Sequence, residues 1–152
     1  MPTFPAVSTI AQTIQLSLSP VFMLAGIAAF VNVLAGRLAR VVDRGRALEM
    51  LHPKSQGPEH VRHVRELRVL DLRIRLINAG LLLSVLSAVT TCLVVTLLFV
   101  AAVARLHIGR GVAVAFIFAM VLLIASLAAF MVEVRVATGA LRIRPELLER
   151  DR

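Results

Sequence analysis

Charged and apolar residues segregate along this chain in long blocks. Asp, Glu, Lys and Arg are absent from Met1 through Gly36, from Leu76 through Ala104 and from Gly111 through Val132, runs of 36, 29 and 22 residues. A helix rises about 1.5 Å per residue and needs roughly 20 apolar residues to cross a hydrocarbon core about 30 Å thick. Each run therefore suits one crossing, and none comfortably holds two. The pattern predicts three transmembrane helices, over residues 16–36, 76–104 and 111–132. The first starts near Leu16 because Pro2, Thr3, Pro5, Ser8, Thr9, Gln12 and Gln15 make the preceding stretch polar. Pro20 removes a backbone hydrogen bond, so it is expected to kink this helix or to set residues 8–18 apart as an interfacial segment with Ile10, Ile14 and Leu18 on one face. A cleaved signal peptide would carry a basic segment ahead of its apolar core. Nothing basic precedes Arg37, and a retained helix is expected.

The charged stretches continue the helical rhythm. Leu38, Val41, Gly45 and Leu48 follow at steps of three, four and three, with Arg37, Arg40 and Arg44 on an adjacent face. The run from His52 to Pro58 contains two prolines and a glycine and predicts a turn, with Pro58 opening the next helix. Leu67, Leu70, Ile74, Ile77 and Leu81 then lead directly into the second apolar run, so this helix is expected over residues 59–104. The fold class expected is an all-α membrane protein of a single domain. Its first two helices extend into an antiparallel hairpin, residues 37–75, standing in the cytoplasm and followed later by a tail, residues 133–152. Pairs such as Arg40 with Asp43 and Arg62 with Glu66 are spaced to interact along its helices.

Composition agrees with the membrane reading: 59% of the 152 residues are hydrophobic and 17% charged, and the mean hydropathy is +0.87. A soluble domain has a charged share nearer a quarter. Seventeen basic residues against nine acidic give a net charge of +8, which alone would suit nucleic acid. Residues 37–75 contain no Phe, Tyr or Trp for base stacking and no nucleic-acid-binding motif, so nucleic acid is not expected as a partner. The distribution of the basic residues sets the orientation instead. Fifteen of the seventeen lie in 37–75 and 133–152, and two in the turn 105–110. Basic flanks stay on the cytoplasmic side, placing the N-terminus outside and the C-terminus inside. One cysteine cannot form an intramolecular disulfide.

The stretch Asn32-Val-Leu-Ala-Gly-Arg37-Leu-Ala-Arg40-Val-Val-Asp43-Arg44-Gly-Arg46 resembles the most recognisable part of a bacterial membrane family catalogued as domain of unknown function 2721. Arg73-Ile-Arg75-Leu-Ile-Asn78 and Glu133-Val-Arg135-Val-Ala-Thr138 are similar to that family as well, and the resemblance covers roughly residues 10–145. It implies a small, multi-spanning protein of the bacterial inner membrane. It implies no activity, cofactor or catalytic residue.

Three groups of residues are candidates for function. On the second span Gly80, Ser84, Ala88, Cys92 and Thr96 recur every four residues, with Ser87 and Thr91 beside them. Small residues at that step let helices approach closely in lipid, and the hydroxyls also suit a water-lined path. Cys92 reads as a packing residue, since hydrocarbon disfavours the thiolate that reactivity requires. At the cytoplasmic boundary the three spans bring polar groups to similar depth: Asn32, Arg37 and Arg40, then Arg75 and Asn78, then Glu133 and Arg135. A carboxylate there is costly unless paired. Glu133 continues the step Ala125, Ala129, and is expected to face other helices and to pair with Arg37, Arg40 or Arg75, as a structural clamp or as an ion gate. His52, His60 and His63 lie around the hairpin tip near Glu59. Imidazoles there would suit zinc or copper or a pH-dependent contact, but their spacing matches no metal motif and surface positions are the default.

No phosphate-binding loop, GxSxG elbow or HExxH occurs, so no enzyme is expected and no cofactor. The expected role is a non-enzymatic integral membrane protein that self-associates through its second and third spans and offers the basic hairpin to anionic lipid headgroups or a protein partner. The alternative is a small homo-oligomeric ion channel, because a ring of protomers can enclose a water path that three helices cannot.

Overall fold

The computed structural model describes residues 5–51, 57–104 and 108–140. These form three helices, α1 (Pro5–Leu51), α2 (Pro58–Ala104) and α3 (Gly109–Ala140). Each contains a stretch long and apolar enough to cross a membrane: Leu18–Met50, Glu59–Ala104 and Gly109–Gly139. The three predicted spans all fall inside these helices. At 47 residues each, α1 and α2 are about 70 Å long, more than twice the hydrocarbon thickness, so the apolar segments continue unbroken into the charged ones. Helix α1 continues without interruption through a buried Pro20, and residues 8–18 are therefore not a separate helix. At the start of α2, Gly57 adopts the left-handed conformation with φ +64°, which glycine alone adopts without penalty, and Val61 N–H donates to Gly57 O at 3.5 Å.

Seven-residue steps order the packing. Among the described side chains of α1 the buried ones are Pro20, Ile27, Leu34, Val41 and Leu48. On α3 they are Val112, Ala119, Ser126 and Glu133, followed by Ala137. On α2, in the middle, the steps alternate between three and four: Gly80, Ser84, Ser87, Thr91 and Val94, with Leu70 and Ile77 on the same register below them. An alternation of three and four keeps one seam facing a neighbour along helices that wrap around each other with left-handed twist. Helix α2 carries most of the contacts, packing against both others, while α1 and α3 touch least.

The core at the basic end joins Leu34, Val41 and Leu48 of α1 to Leu70 and Ile77 of α2. Leu34 lies beside Gly80, and Arg44 pairs with Glu66, so the numbering rises along α1 as it falls along α2. Ser84 meets Ser126 and Arg73 meets Glu133, giving α2 and α3 the same opposed direction. The outward faces carry Phe22, Leu82, Val89, Ile117, Ile124 and Met131, all exposed, as expected of surfaces solvated by lipid tails.

Candidate functional site

Glu133 is fully buried, on the same seven-residue column as Ala119 and Ser126. Its carboxylate meets one arginine from each of the other helices. Arg73 Nε of α2 donates to Oε1 at 2.9 Å, and Arg37 Nη2 of α1 lies 2.7 Å from Oε2. Both arginines keep about a fifth to a quarter of their side chains exposed, 21% for Arg73 and 24% for Arg37. A buried carboxylate is tolerated only where counter-charge and donors offset its lost hydration. Here two guanidiniums surround one carboxylate, so the cluster keeps one positive charge in excess.

The aromatic packing beneath holds Arg37 in place. Its guanidinium carbon sits 5.2 Å from the centre of the Phe130 ring, one turn before Glu133 on α3, and Phe130 packs edge-on against Phe30 of α1 at 5.5 Å and 85°. Phe30 and Arg37 are themselves seven residues apart, as are Phe130 and Ala137. The clamp lies within the packing seam: Arg73 falls three residues after the buried Leu70 and four before the buried Ile77 on α2.

Of the residues expected at this boundary, Arg37 and Glu133 come together. Arg75 does not join them; it is exposed and pairs with Asp71 one turn earlier at 2.9 Å. Arg40 is exposed and makes no ion pair among the described residues, and Asn32, Asn78 and Arg135 are exposed as well. Sequence reasoning missed Arg73, which lies two residues from Arg75 and thus on nearly the opposite side of α2. The column expected above Glu133 also shifts by one residue, since Ser126 is buried and Ala125 exposed.

The small-residue face of α2 divides. Gly80, Ser84, Ser87 and Thr91 are buried, Ala88 is half-buried, and Cys92 and Thr96 are exposed. Steps of four advance 400° at 100° per residue, so such a face drifts by about 40° per step around the helix, and the alternation of three and four follows the seam instead. Cys92 accordingly does not pack against α1 or α3 within the protomer. The buried hydroxyls are consumed within the protomer. Ser126 Oγ donates to Gly80 O at 2.6 Å, which leaves Ser84 Oγ to donate to Ser126 Oγ at 2.7 Å; Ser87 Oγ donates to Ala119 O at 2.8 Å, and Thr91 Oγ1 to Ser87 O at 2.8 Å. Three of these four bonds cross between α2 and α3, where each contributes on the order of 0.6 kcal/mol.

His52 lies outside the described residues, and His60 and His63 are half-buried. Among the described residues no group of three His, Cys, Asp or Glu side chains is arranged to hold a metal ion.

The family model described as Protein of unknown function (DUF2721) matches residues 17–143. No curated protein and no solved structure matches the chain.

Proposed function

The chain belongs to the family of that model, and on this footing we propose that it is a non-enzymatic protein of the bacterial inner membrane that engages anionic lipid headgroups through a basic cytoplasmic helical hairpin. In this reading the N-terminus lies outside and residues 37–75 stand in the cytoplasm. The observation that carries it is the continuation of packing beyond the charge-free runs. Leu48 and Leu70 stay buried there, and Arg44 Nε donates to Glu66 Oε1 at 2.8 Å. The basic residues are thus held on formed helices, where each one near an anionic surface contributes about 1 kcal/mol of attraction.

Self-association belongs to the same proposal. Since Gly80, Ser84 and Ser87 meet α3 and Thr91 is buried within the protomer, association uses the outward surfaces, including the side of α2 where Cys92 and Thr96 lie. A homo-oligomeric channel would be built on that surface too.

The test is the thermal midpoint of the purified protein in nanodiscs. Anionic lipid should raise it relative to zwitterionic lipid, by an amount that shrinks as salt screens the headgroups. Equal midpoints, together with ion flux in liposomes, would replace this reading by the channel.

A further inference from the structure

Beside the Glu133 clamp, α1 and α2 border a cavity of about 320 Å³ lined by Arg37, Arg40, Val41, Arg44, Leu70 and Arg73. Ligand pockets span about 300 to 1,000 Å³, so there is room for one small group. Four arginines line it, and two carboxylates oppose them: Glu133 holds Arg37 and Arg73, and Glu66 holds Arg44. Among the described residues Arg40 has no ion pair, and the buried Arg37 Nε has no hydrogen-bond partner. The lining therefore carries two positive charges more than the carboxylates that pair with it. Arg37, Arg40 and Arg44 follow at steps of three and four on α1, a face about 10 Å long, and Arg73 reaches in from α2. Arg37 is the first charge after the apolar run, and the headgroup layer adds about 5 to 8 Å to each side of the hydrocarbon, so the cavity opens at headgroup depth.

We propose that this cavity binds a phosphate group carrying two negative charges, a phosphomonoester or diphosphate, presented by a lipid headgroup. The inference rests on the reading that the basic hairpin meets anionic headgroups. A dianion neutralises the excess charge, and guanidiniums match phosphate oxygens with paired, charge-assisted hydrogen bonds. Arg37 and Arg73 are held in position by Glu133 before the ligand arrives, and Arg40, with no ion pair among the described residues, supplies a further guanidinium to it. Val41 and Leu70 supply an apolar wall for the part of a lipid that continues from the phosphate. A dissolved dianion would make the same polar contacts, so the test separates the two sources.

The full chain is placed in phosphatidylcholine nanodiscs containing an equal mole fraction of phosphatidic acid, a phosphomonoester, or phosphatidylglycerol, a phosphodiester, and retained lipid is measured by native mass spectrometry. The expected result is about tenfold preference for phosphatidic acid. Arg40→Gln removes that preference. Arg68→Gln, which deletes the same charge from an exposed position of α2 outside the cavity, lowers retention of both lipids alike and keeps it. Equal retention of the two lipids, or a preference that survives Arg40→Gln, overturns the site and leaves the general headgroup reading standing; retention of neither overturns both. In nanodiscs of phosphatidylcholine alone, inorganic pyrophosphate should leave the thermal midpoint unchanged. A rise that Arg40→Gln abolishes would support the dianion site but overturn the lipid as its source.

Discussion

Glu133 Oε2 of α3 lies 2.7 Å from Arg37 Nη2 of α1, although the backbones of these two helices make the fewest contacts of any pair in the fold. The long arginine side chain bridges a gap that the backbones leave open, and Arg73 of α2 completes the junction from the other side. One carboxylate thereby ties three helices at the level where their apolar runs end.

Replacing Glu133 by Gln keeps the size but leaves two arginines without their counter-charge. Breaking a buried pair costs about 3 to 5 kcal/mol in soluble proteins, and partly exposed arginines can turn to water, so we expect a loss of about 2 to 4 kcal/mol. A lowered thermal midpoint in detergent would report it. Arg37→Gln or Arg73→Gln alone should cost less, since the other arginine remains. The double variant strands the buried carboxylate and should cost more than the two single losses added. An additive double variant would show that the two arginines do not share Glu133.

A leucine scan along α2 should read out the seam. Ser84→Leu forces a large side chain into a fully buried site and removes a hydroxyl bonded to Ser126, so folding of the protomer should fail or weaken by more than about 3 kcal/mol. Cys92→Leu and Thr96→Leu, at exposed positions, should change stability by less than about 0.5 kcal/mol. Ala88→Leu should fall between them. Comparable damage at Ser84 and Cys92 would contradict the alternating register.

Gly80 permits a narrower comparison. A Cβ added there would sit 3.4 Å from Leu34 Cδ1 and 3.7 Å from both Ser126 O and Oγ, all ordinary contact distances. We therefore expect Gly80→Ala to be tolerated within about 1 kcal/mol, with the helix-propensity gain offsetting the closer packing. Gly80→Leu has no such room and should push α2 away from both α1 and α3, seen as loss of a cooperative unfolding transition.

Orientation is read most directly by reporter fusions. The fifteen-to-two distribution of basic residues predicts cytoplasmic behaviour for a fusion at residue 152 and external behaviour near residue 108. Reversed signals at both positions would move the basic hairpin, and with it the proposed headgroup contacts, to the other side of the membrane.

The charge-free runs, the turn at Gly57 and Pro58, and the helical rhythm of Leu38, Val41 and Leu48 were legible in the chain because each depends on neighbours within a few turns. Hydrocarbon thickness converts run length into the number of spans, with no knowledge of what each helix packs against. Glu133 was legible as a boundary carboxylate turned toward other helices, being the acidic residue where an apolar run ends, and the packing decided that it is buried.

Its partners were not. Arg73 and Arg75 are equally near in sequence, yet two residues along a helix turn the side chain by about 200°, so one arginine meets α3 and the other meets Asp71 and the surroundings. The same rotation turns Gly80, Ser84 and Ser87 inward while Cys92 and Thr96 face out. Which side of α2 is inward depends on where α1 and α3 lie against it, and long-range packing of three helices at seven-residue steps makes that choice. Hydropathy assigns the depth of a residue in the membrane, whereas its direction around the helix axis follows from the neighbours it packs against.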